Sequence, residues 1–417
     1  MKLIFDVSDK PKAGQLVVFA LQQMLAILAA TIAVPLIIGN GLTPASAMFG
    51  AGVGTIVYIL FTKRKSPVFL GSSFAFLGSM AAAFAGGVSM QLGMLGLIVG
   101  ALLAGLVYVV IAIVVKFVGV GWLNKLMPAV VIGPTVAIIG LSLAGNAIGD
   151  LVKGDVTRQV TEYAVSTDSG TPEIIETVSN VPVGSSYVAL ICGLITLAVV
   201  MLCSTYGKKT LRLIPFIIGI LAGYAAAAIF TVIGNICDID ALKIVDFSIF
   251  SSYMLTDGSV SLKTFVSLPD FAFVSGLEGL KEFDFTYFAT IFVAYVPVAL
   301  VVFAEHVADH KNLSSIIDHD LLEEPGLTRT LLGDGVGSIA GALFGGCPNT
   351  TYGESVACVA ITGNASVVTI FAAAVGCMLF SFITPLVAFV DSIPACVMGG
   401  VCIALYGFIA VSGLKMI

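Results

Sequence analysis

The stretch Cys347-Pro348-Asn349-Thr350-Thr351-Tyr352-Gly353-Glu354-Ser355 lies between two apolar runs, 338–344 and 356–361. A proline, a glycine and a carboxylate stand where a membrane helix would carry leucine. An acidic side chain at hydrocarbon depth is costly and by default marks a substrate or ion site. Non-helical backbone is tolerated at that depth only where protein buries it or where it lines a cavity. The competing reading is a short loop with Glu354 in water, and the rest of the chain decides between the two.

Of the 417 residues, 58% are hydrophobic and only 11% are charged, with a mean hydropathy of +1.08. A soluble domain carries about 25% charged residues, so the composition describes an all-α polytopic membrane protein and gives no basis for a nucleic-acid partner. The net charge of −6 says little about partners, because a membrane protein sorts its charge by side. Seven of the eight cysteines lie in or beside apolar runs and only Cys237 sits in a polar loop. That is neither a disulfide framework nor a metal-ligand spacing; no metal and no cofactor is expected. The charged N-terminus lacks a cleavable signal pattern, so the first helix is expected to stay in the membrane.

A spanning helix needs about 20 apolar residues. Runs of that kind predict twelve spans, near 14–38, 44–62, 67–87, 91–115, 127–148, 186–204, 211–235, 285–305, 328–345, 348–362, 365–389 and 393–413. The segments 67–87 and 348–362 are the weak ones, each led by a proline and carrying glycine and polar residues in its first half. With the N-terminus inside, fourteen of the nineteen Lys and Arg residues fall in inner loops, as the positive-inside rule requires. The two long loops, 149–185 and 236–284, then lie outside and read as solvated excursions.

The chain also repeats itself. Phe49–Phe61, FGAGVGTIVYILF, matches LGDGVGSIAGALF at 332–344 in seven of thirteen positions. Each is followed by a proline-led broken segment, Pro67 to Phe74 and Pro348 to Glu354. Met127-Pro-Ala-Val-Val-Ile-Gly133 then resembles Ile393-Pro-Ala-Cys-Val-Met-Gly399. The first copy, about 14–235, holds seven spans, and an odd number turns the second copy upside down. Inverted repeats with interrupted helices in matching positions are the mark of a secondary transporter with its site near the midplane. The second copy holds five spans before Ile417, so it is expected to lack its last two segments.

Glu305, His306, Asp309 and His310 cluster in VVFAEHVADH. Glu305 and Asp309, four apart, share a helix face. Glu305 follows an apolar run and is expected at membrane depth; the two histidines are expected in water at the inner helix end. E-H-x-x-D-H is not a zinc-protease spacing. If the broken segments cross at the midplane, each would leave main-chain N–H and C=O groups unpaired. The following helices would point their positive N-termini at one place, with Glu354 at one of them and Ser72 and Ser73 facing it. A planar ligand with N–H donors suits such a site, and a buried carboxylate there is a natural carrier for a coupling proton. Glu305, Asp309 and Glu354 are the candidates for that role. Sodium would instead want several oxygen ligands, which Ser and Thr could supply.

The segments LGSSFAF (70–76), AEHV (304–307), LLGDGVGS (331–338), PNTTYGE (348–354) and VMGG (397–400) resemble the nucleobase–ascorbate transporter family, in its uracil permease branch. The resemblance runs from about residue 10 to the end. It implies fourteen segments in two inverted repeats, working as a homodimer in the cell membrane by an elevator-like motion. It implies a core domain from 14–125 and 285–389, and a gate domain from 127–235 and 393–417. It implies that Glu305 and Glu354 bind the uracil ring, that Phe74 and Gly353 add backbone contacts with Tyr352 and Ser73 beside them, and that Ala30 and Tyr406 line the pocket.

This chain departs from the family pattern at a few places. After the second glutamate the family has Asn-x-Gly and later Thr-Arg; here Ser355, Ala357, Thr362 and Gly363 stand there. Asp309 takes the place of a usual histidine, and Gln23 that of another. The expected function is proton-coupled uptake of uracil or a related nucleobase. The rivals are a xanthine or urate carrier of the same family and, from another class, an anion transporter or channel of related architecture, which two carboxylates at the site oppose. An intramembrane enzyme would need a Ser–Lys dyad or paired aspartates at depth, and none is read.

Overall fold

The computed structural model describes residues 3–119, 121, 129–166, 173–208, 211, 214–254 and 259–416. The start of the second repeat motif, Met127 and Pro128, lies outside them.

The first repeat begins with α1 (Ala13–Ile38), α2 (Pro44–Phe61), strand β1 (Leu70–Ser72), α3 (Leu77–Ala83) and α4 (Met90–Val118). It continues with α5 (Ala129–Asp150), the hairpin β2 (Thr157–Ser166) and β3 (Glu173–Pro182), α6 (Ser186–Tyr206) and α7 (Pro215–Cys237). Two short helices, α8 (Ser248–Met254) and α9 (Ala272–Glu278), lead to the second repeat. That repeat holds α10 (Phe285–Ile317), α11 (Leu327–Gly345), β4 (Asn349–Thr351), α12 (Gly353–Thr362), α13 (Val367–Phe380), α14 (Thr384–Asp391) and α15 (Ala395–Met416). Among the described residues six helices are long and apolar enough to cross a membrane alone: α1, α2, α4, α6, α7 and α10.

Local chemistry sets the helix starts. Thr43 caps α2, its hydroxyl accepting from the Ser46 N–H at 3.2 Å, with Pro44 at the first helical position. Asp284 caps α10 through the Tyr287 N–H at 2.7 Å, and Ser89 caps α4.

The repeat motifs read in the sequence pack against each other. α2 lies on α11, and α5 on α15. A Cβ built on Gly54 would lie 2.7 Å from the Gly337 carbonyl oxygen, and one on Gly345 would lie 2.8 Å from the Ser46 carbonyl oxygen. As α2 runs forward its neighbours on α11 run backward, so sequence-similar helices meet antiparallel, as an inverted repeat requires. Without side chains in the seam, the two backbones close to contact distance. α1, α2, α4, α10, α11 and α13 form one packing group, and α5, α6, α7 and α15 a second.

Two expectations are corrected. The run 365–389 is not one span. α13 ends at Phe380, and α14 meets α15 at 82°. Pro385 opens α14 and Pro394 precedes α15, where proline disfavours helical continuation. The chain at 261–267 supplies backbone partners at the break: Thr384 N–H donates to Phe265 O at 3.1 Å and Ser267 N–H to Phe382 O at 3.0 Å. Nor is 236–284 a solvated excursion. Ile244 and Val245 are buried, their N–H groups donating to Thr231 Oγ1 at 3.0 Å each, and α9 packs on α4. A window average sees the polar residues of this segment and not the apolar ones it buries.

Candidate substrate site

The two broken segments pair with each other. β1 and β4 run antiparallel with Leu70 opposite Thr351, Gly71 opposite Thr350 and Ser72 opposite Asn349. Ser73 N–H donates to Pro348 O at 2.9 Å, and Tyr352 N–H to Phe69 O at 3.2 Å. Thr55 on α2 brackets Leu70, accepting from its N–H at 2.9 Å and donating to its carbonyl at 3.1 Å. Most of the backbone groups expected to be free for a ligand are therefore spent on the crossing. The reason is the cost of an unpaired amide away from water, which mutual pairing removes. Gly71 is required here, since its missing Cβ leaves room for the Tyr352 ring. The Tyr352 hydroxyl donates to Ser72 O at 2.7 Å, binding the two segments together again.

Beyond β4 the chain turns directly into α12, with Gly353 and Glu354 in its first turn. The partly buried Glu354 thus sits at a helix N-terminus, where negative charge is favoured. The other end of α12 is anchored. Gly363, at φ +66°, ends the helix, and its carbonyl accepts from Ile4 N–H at 2.7 Å in an N-terminal arm that continues to Ala365.

α10 brings the other carboxylates. Asp309 Oδ2 accepts from the Thr351 hydroxyl at 2.9 Å, and a Cβ on Gly353 would lie 3.8 Å from Asp309 Oδ1. Glu305 lies one turn earlier, within electrostatic reach of Asp309, Glu354 and Asp334. The crossing and α10 therefore gather Glu305, Asp309, Gly353 and Glu354 into one place.

The histidines are not in water. His306 and His310 are both 0% exposed. α10 continues as regular helix to Ile317, and its His306/His310 stripe faces α2 and α11 instead of solvent. His306 Nδ1 is 2.7 Å from Asp334 Oδ2 on α11, and its Nε2 is 3.1 Å from Thr330 Oγ1. His310 Nε2 meets the Tyr58 hydroxyl at 2.6 Å, which in turn meets Ser66 Oγ at 2.7 Å.

Phe74 and Tyr406 meet edge to face, with ring centroids 5.6 Å apart. A cavity of about 740 Å³ reaches Phe74 from the ends of α1 and α5, lined there by Ile38, Asn40, Gly78, Asn146 and Asp150. Glu305 and Glu354 are not among its lining residues. Ala30 is buried on α1, and Ser73 is buried, its hydroxyl lacking a partner among the described residues.

Comparison with known proteins fits this architecture. A family model described as the Permease family matches residues 14–181 and 169–417. The uracil permease of Bacillus caldolyticus is 35% identical over 417 residues, covering 100% of this chain and 82% of that protein. The uracil permease of Escherichia coli K12 is 32% identical over 411 residues, 99% of this chain and 81% of that protein. The chain belongs to the nucleobase–ascorbate transporter family, in its uracil permease branch. The transmembrane domain of a cyanobacterial bicarbonate transporter shares the fold, with a TM-score of 0.65 at 13% identity over 99% of this chain and 95% of that one. SLC26A9 does so with a TM-score of 0.56 at 13% identity, over 96% and 59%. Both bear on the inverted-repeat fold alone.

In this member of the nucleobase–ascorbate transporter family, two departures from the family pattern touch each other. Gln23 Nε2 donates to Ser355 Oγ, which also accepts from Phe69 N–H at 3.0 Å. Sequence reading noted both positions but could not join them. Asp334 it passed over, although a lone acid inside the apolar run 331–344 is itself a signal.

Proposed function

We propose that this chain is a secondary active transporter that imports uracil or a related nucleobase, coupled to protons, by elevator-like alternating access. The observation that carries the reading is the gathering of Glu354, Gly353, Glu305 and Asp309 at the β1–β4 crossing. Uracil presents ring N–H donors and carbonyl acceptors on one planar edge. Carboxylates accept from the former, and the first-turn N–H groups of α12, which have no acceptor within the helix, suit the latter. A ligand lacking one N–H leaves a buried acceptor unpaired, at about 1–3 kcal/mol. That two relatives 35% identical over the whole chain are uracil permeases supports the same substrate class.

In this reading residues 14–125 and 285–389 form the core, 127–235 and 393–417 the gate, and the two packing groups follow that division closely. The protein works as a homodimer in the cell membrane with its N-terminus in the cytoplasm. Phe74 and Gly353 add backbone contacts, Tyr352, Ser73, Ala30 and Tyr406 shape the pocket, and the 740 Å³ cavity is the outer approach. The coupling proton is held within the buried acidic group to which Glu305, Asp309 and Glu354 belong. The nearer rival is a xanthine or urate carrier of the same family. The carboxylates oppose an anion substrate.

A thermal-shift screen of nucleobases on the purified protein tests the substrate, because a ligand bound only by the folded state raises its melting point. Uptake of labelled uracil into proteoliposomes tests the coupling. Stabilisation by uracil and collapse of uptake without a pH gradient are expected; a response to anions alone would overturn the reading.

A further inference from the structure

His306, Asp334 and Thr330 form a closed polar cluster behind the substrate carboxylates. His306, Asp334 and Thr330 are each 0% exposed, and Asp334 Oδ1 has no hydrogen-bond partner among the described residues. Their hydrogen bonds allow two proton counts in one geometry. The Thr330 hydroxyl, 3.1 Å from His306 Nε2 and 3.1 Å from Leu327 O, has a single proton to give. When His306 carries only its Nδ1 proton, donated to Asp334 Oδ2, Thr330 donates to Nε2. When a second proton occupies Nε2, Thr330 rotates, donates to Leu327 O and accepts from the ring. Both hydrogen bonds to the His306 ring survive in either state, and the Thr330 hydroxyl hydrogen moves between Nε2 and Leu327 O. A buried site that merely holds a fold needs one such arrangement, not two.

The cluster is also placed to be felt at the substrate site. Glu305 is the neighbour of His306 on α10, and Asp334 lies within its electrostatic reach, as do Asp309 and Glu354. His310 on α10 stacks near His306 with ring centroids 4.0 Å apart. Tyr108 on α4 lies edge-on to His306 at 6.1 Å, and its hydroxyl, also unpartnered, faces Asp334 and Thr350 on β4. Tyr58 on α2 faces Asp334 and Asp309.

We propose that the His306–Asp334–Thr330 cluster is the site that loads and unloads the coupling proton, while Glu305 and Glu354 remain the substrate acceptors. One proton enters from the aqueous side that the site faces, resides on the His306–Asp334 pair, and leaves to the other side with the substrate. Loading removes one negative charge from the neighbourhood of Glu305, so the ring N–H groups meet a carboxylate with one fewer like charge beside it. Coupling then amounts to a difference in substrate affinity between the loaded and empty cluster.

The inference rests on the proposed proton-coupled uptake, and the test separates the two. Full-length protein in proteoliposomes is assayed for uracil binding, for uracil exchange at equal pH, and for accumulation driven by a pH gradient. Asp334→Asn keeps a hydrogen bond to His306 but cannot titrate. Its binding and exchange are expected within about threefold of the parent, while its driven accumulation falls about tenfold or more. Parent-level accumulation by Asp334→Asn overturns the inference alone, and so does loss of exchange together with accumulation in a folded variant. Parent protein that binds no uracil, or that accumulates it without regard to the gradient, overturns the function or its coupling instead. Thr330→Val, which keeps both titrating groups and removes the rotor, decides the matter should Asp334→Asn not fold. It is expected to shift the pH of half-maximal uptake by about one unit with exchange retained, and an unshifted profile overturns the proposal.

Discussion

Gln23 and Ser355, 332 positions apart in the chain, meet in a buried side-chain hydrogen bond. Ser355 follows Glu354 directly and also holds the Phe69 N–H ahead of β1. One hydroxyl therefore ties α1, the first broken segment and the start of α12 together, next to the carboxylate proposed to bind substrate. Ser355→Ala leaves two buried donors unpaired, at about 1–3 kcal/mol each. Uracil binding is expected to weaken about tenfold or more, with Ser355→Thr closer to the parent than Ser355→Ala. Isothermal titration checks this, and unaltered affinity in Ser355→Ala would deny the pair a positioning role.

Glu354→Gln and Glu305→Gln each remove a charged acceptor without changing shape. A hydrogen bond to a charged group contributes about 1.5–3 kcal/mol, so each variant is expected to lose detectable binding of labelled uracil, about 100-fold in affinity. Full binding by either one removes that residue from the site.

The seam between α2 and α11 leaves no room for a side chain. In Gly54→Val the new atoms would meet the Gly337 carbonyl and the Asn349 amide, which belong to fixed backbone and to a buried contact. Overpacking of this kind costs about 1–3 kcal/mol or more, and a lower melting point with a smaller monodisperse peak on gel filtration is expected. Gly78→Ala is the contrast. Among the described residues nothing lies within 4 Å of the added Cβ, and alanine favours the helix by up to about 1 kcal/mol, so stability should hold or rise.

Asp155, beyond the end of α5, accepts from the Ala395 N–H at 3.1 Å and caps α15. Burial pushes its carboxyl up from the ordinary 3.8 to about 6, against the opposing effect of the Ala395 bond. The folded state therefore holds this proton more tightly than the unfolded chain does. The associated stability is fully present below about pH 4, is lost as pH rises through about 6, and is flat above that. Asp155→Asn is expected to show a shallower fall in melting point between pH 4 and 7 and a higher melting point at pH 8. The gain is bounded at about 3 kcal/mol. A melting curve with the parent's pH dependence would show that Asp155 is not the group responsible.

The broken segments were legible because proline, glycine and a carboxylate contradict their apolar surroundings. The repeat was legible because its glycines recur in order. Glu305, Asp309 and Glu354 announced themselves as acids inside or beside apolar runs, and the structure gathers them. His306 and His310 were misread from position alone. A helix end was inferred where the apolar run stopped, while α10 goes on to Ile317 with a buried polar stripe. The break at 381–383 was invisible because Phe382 and Ile383 continue the apolar run, and what makes it a break is a partner segment more than a hundred residues away.

By itself the sequence determined the membrane class, the inverted repeat, the two interruptions and the acidic residue at each side of the site. These follow from composition, spacing and the cost of polar groups in hydrocarbon, all of which are local or periodic. Only the tertiary structure decided that the interruptions pair with each other, that Gln23 meets Ser355, and that His306 meets Asp334. Those contacts join residues from separate helices, and their energy depends on distance and shared burial, which no stretch of chain carries alone.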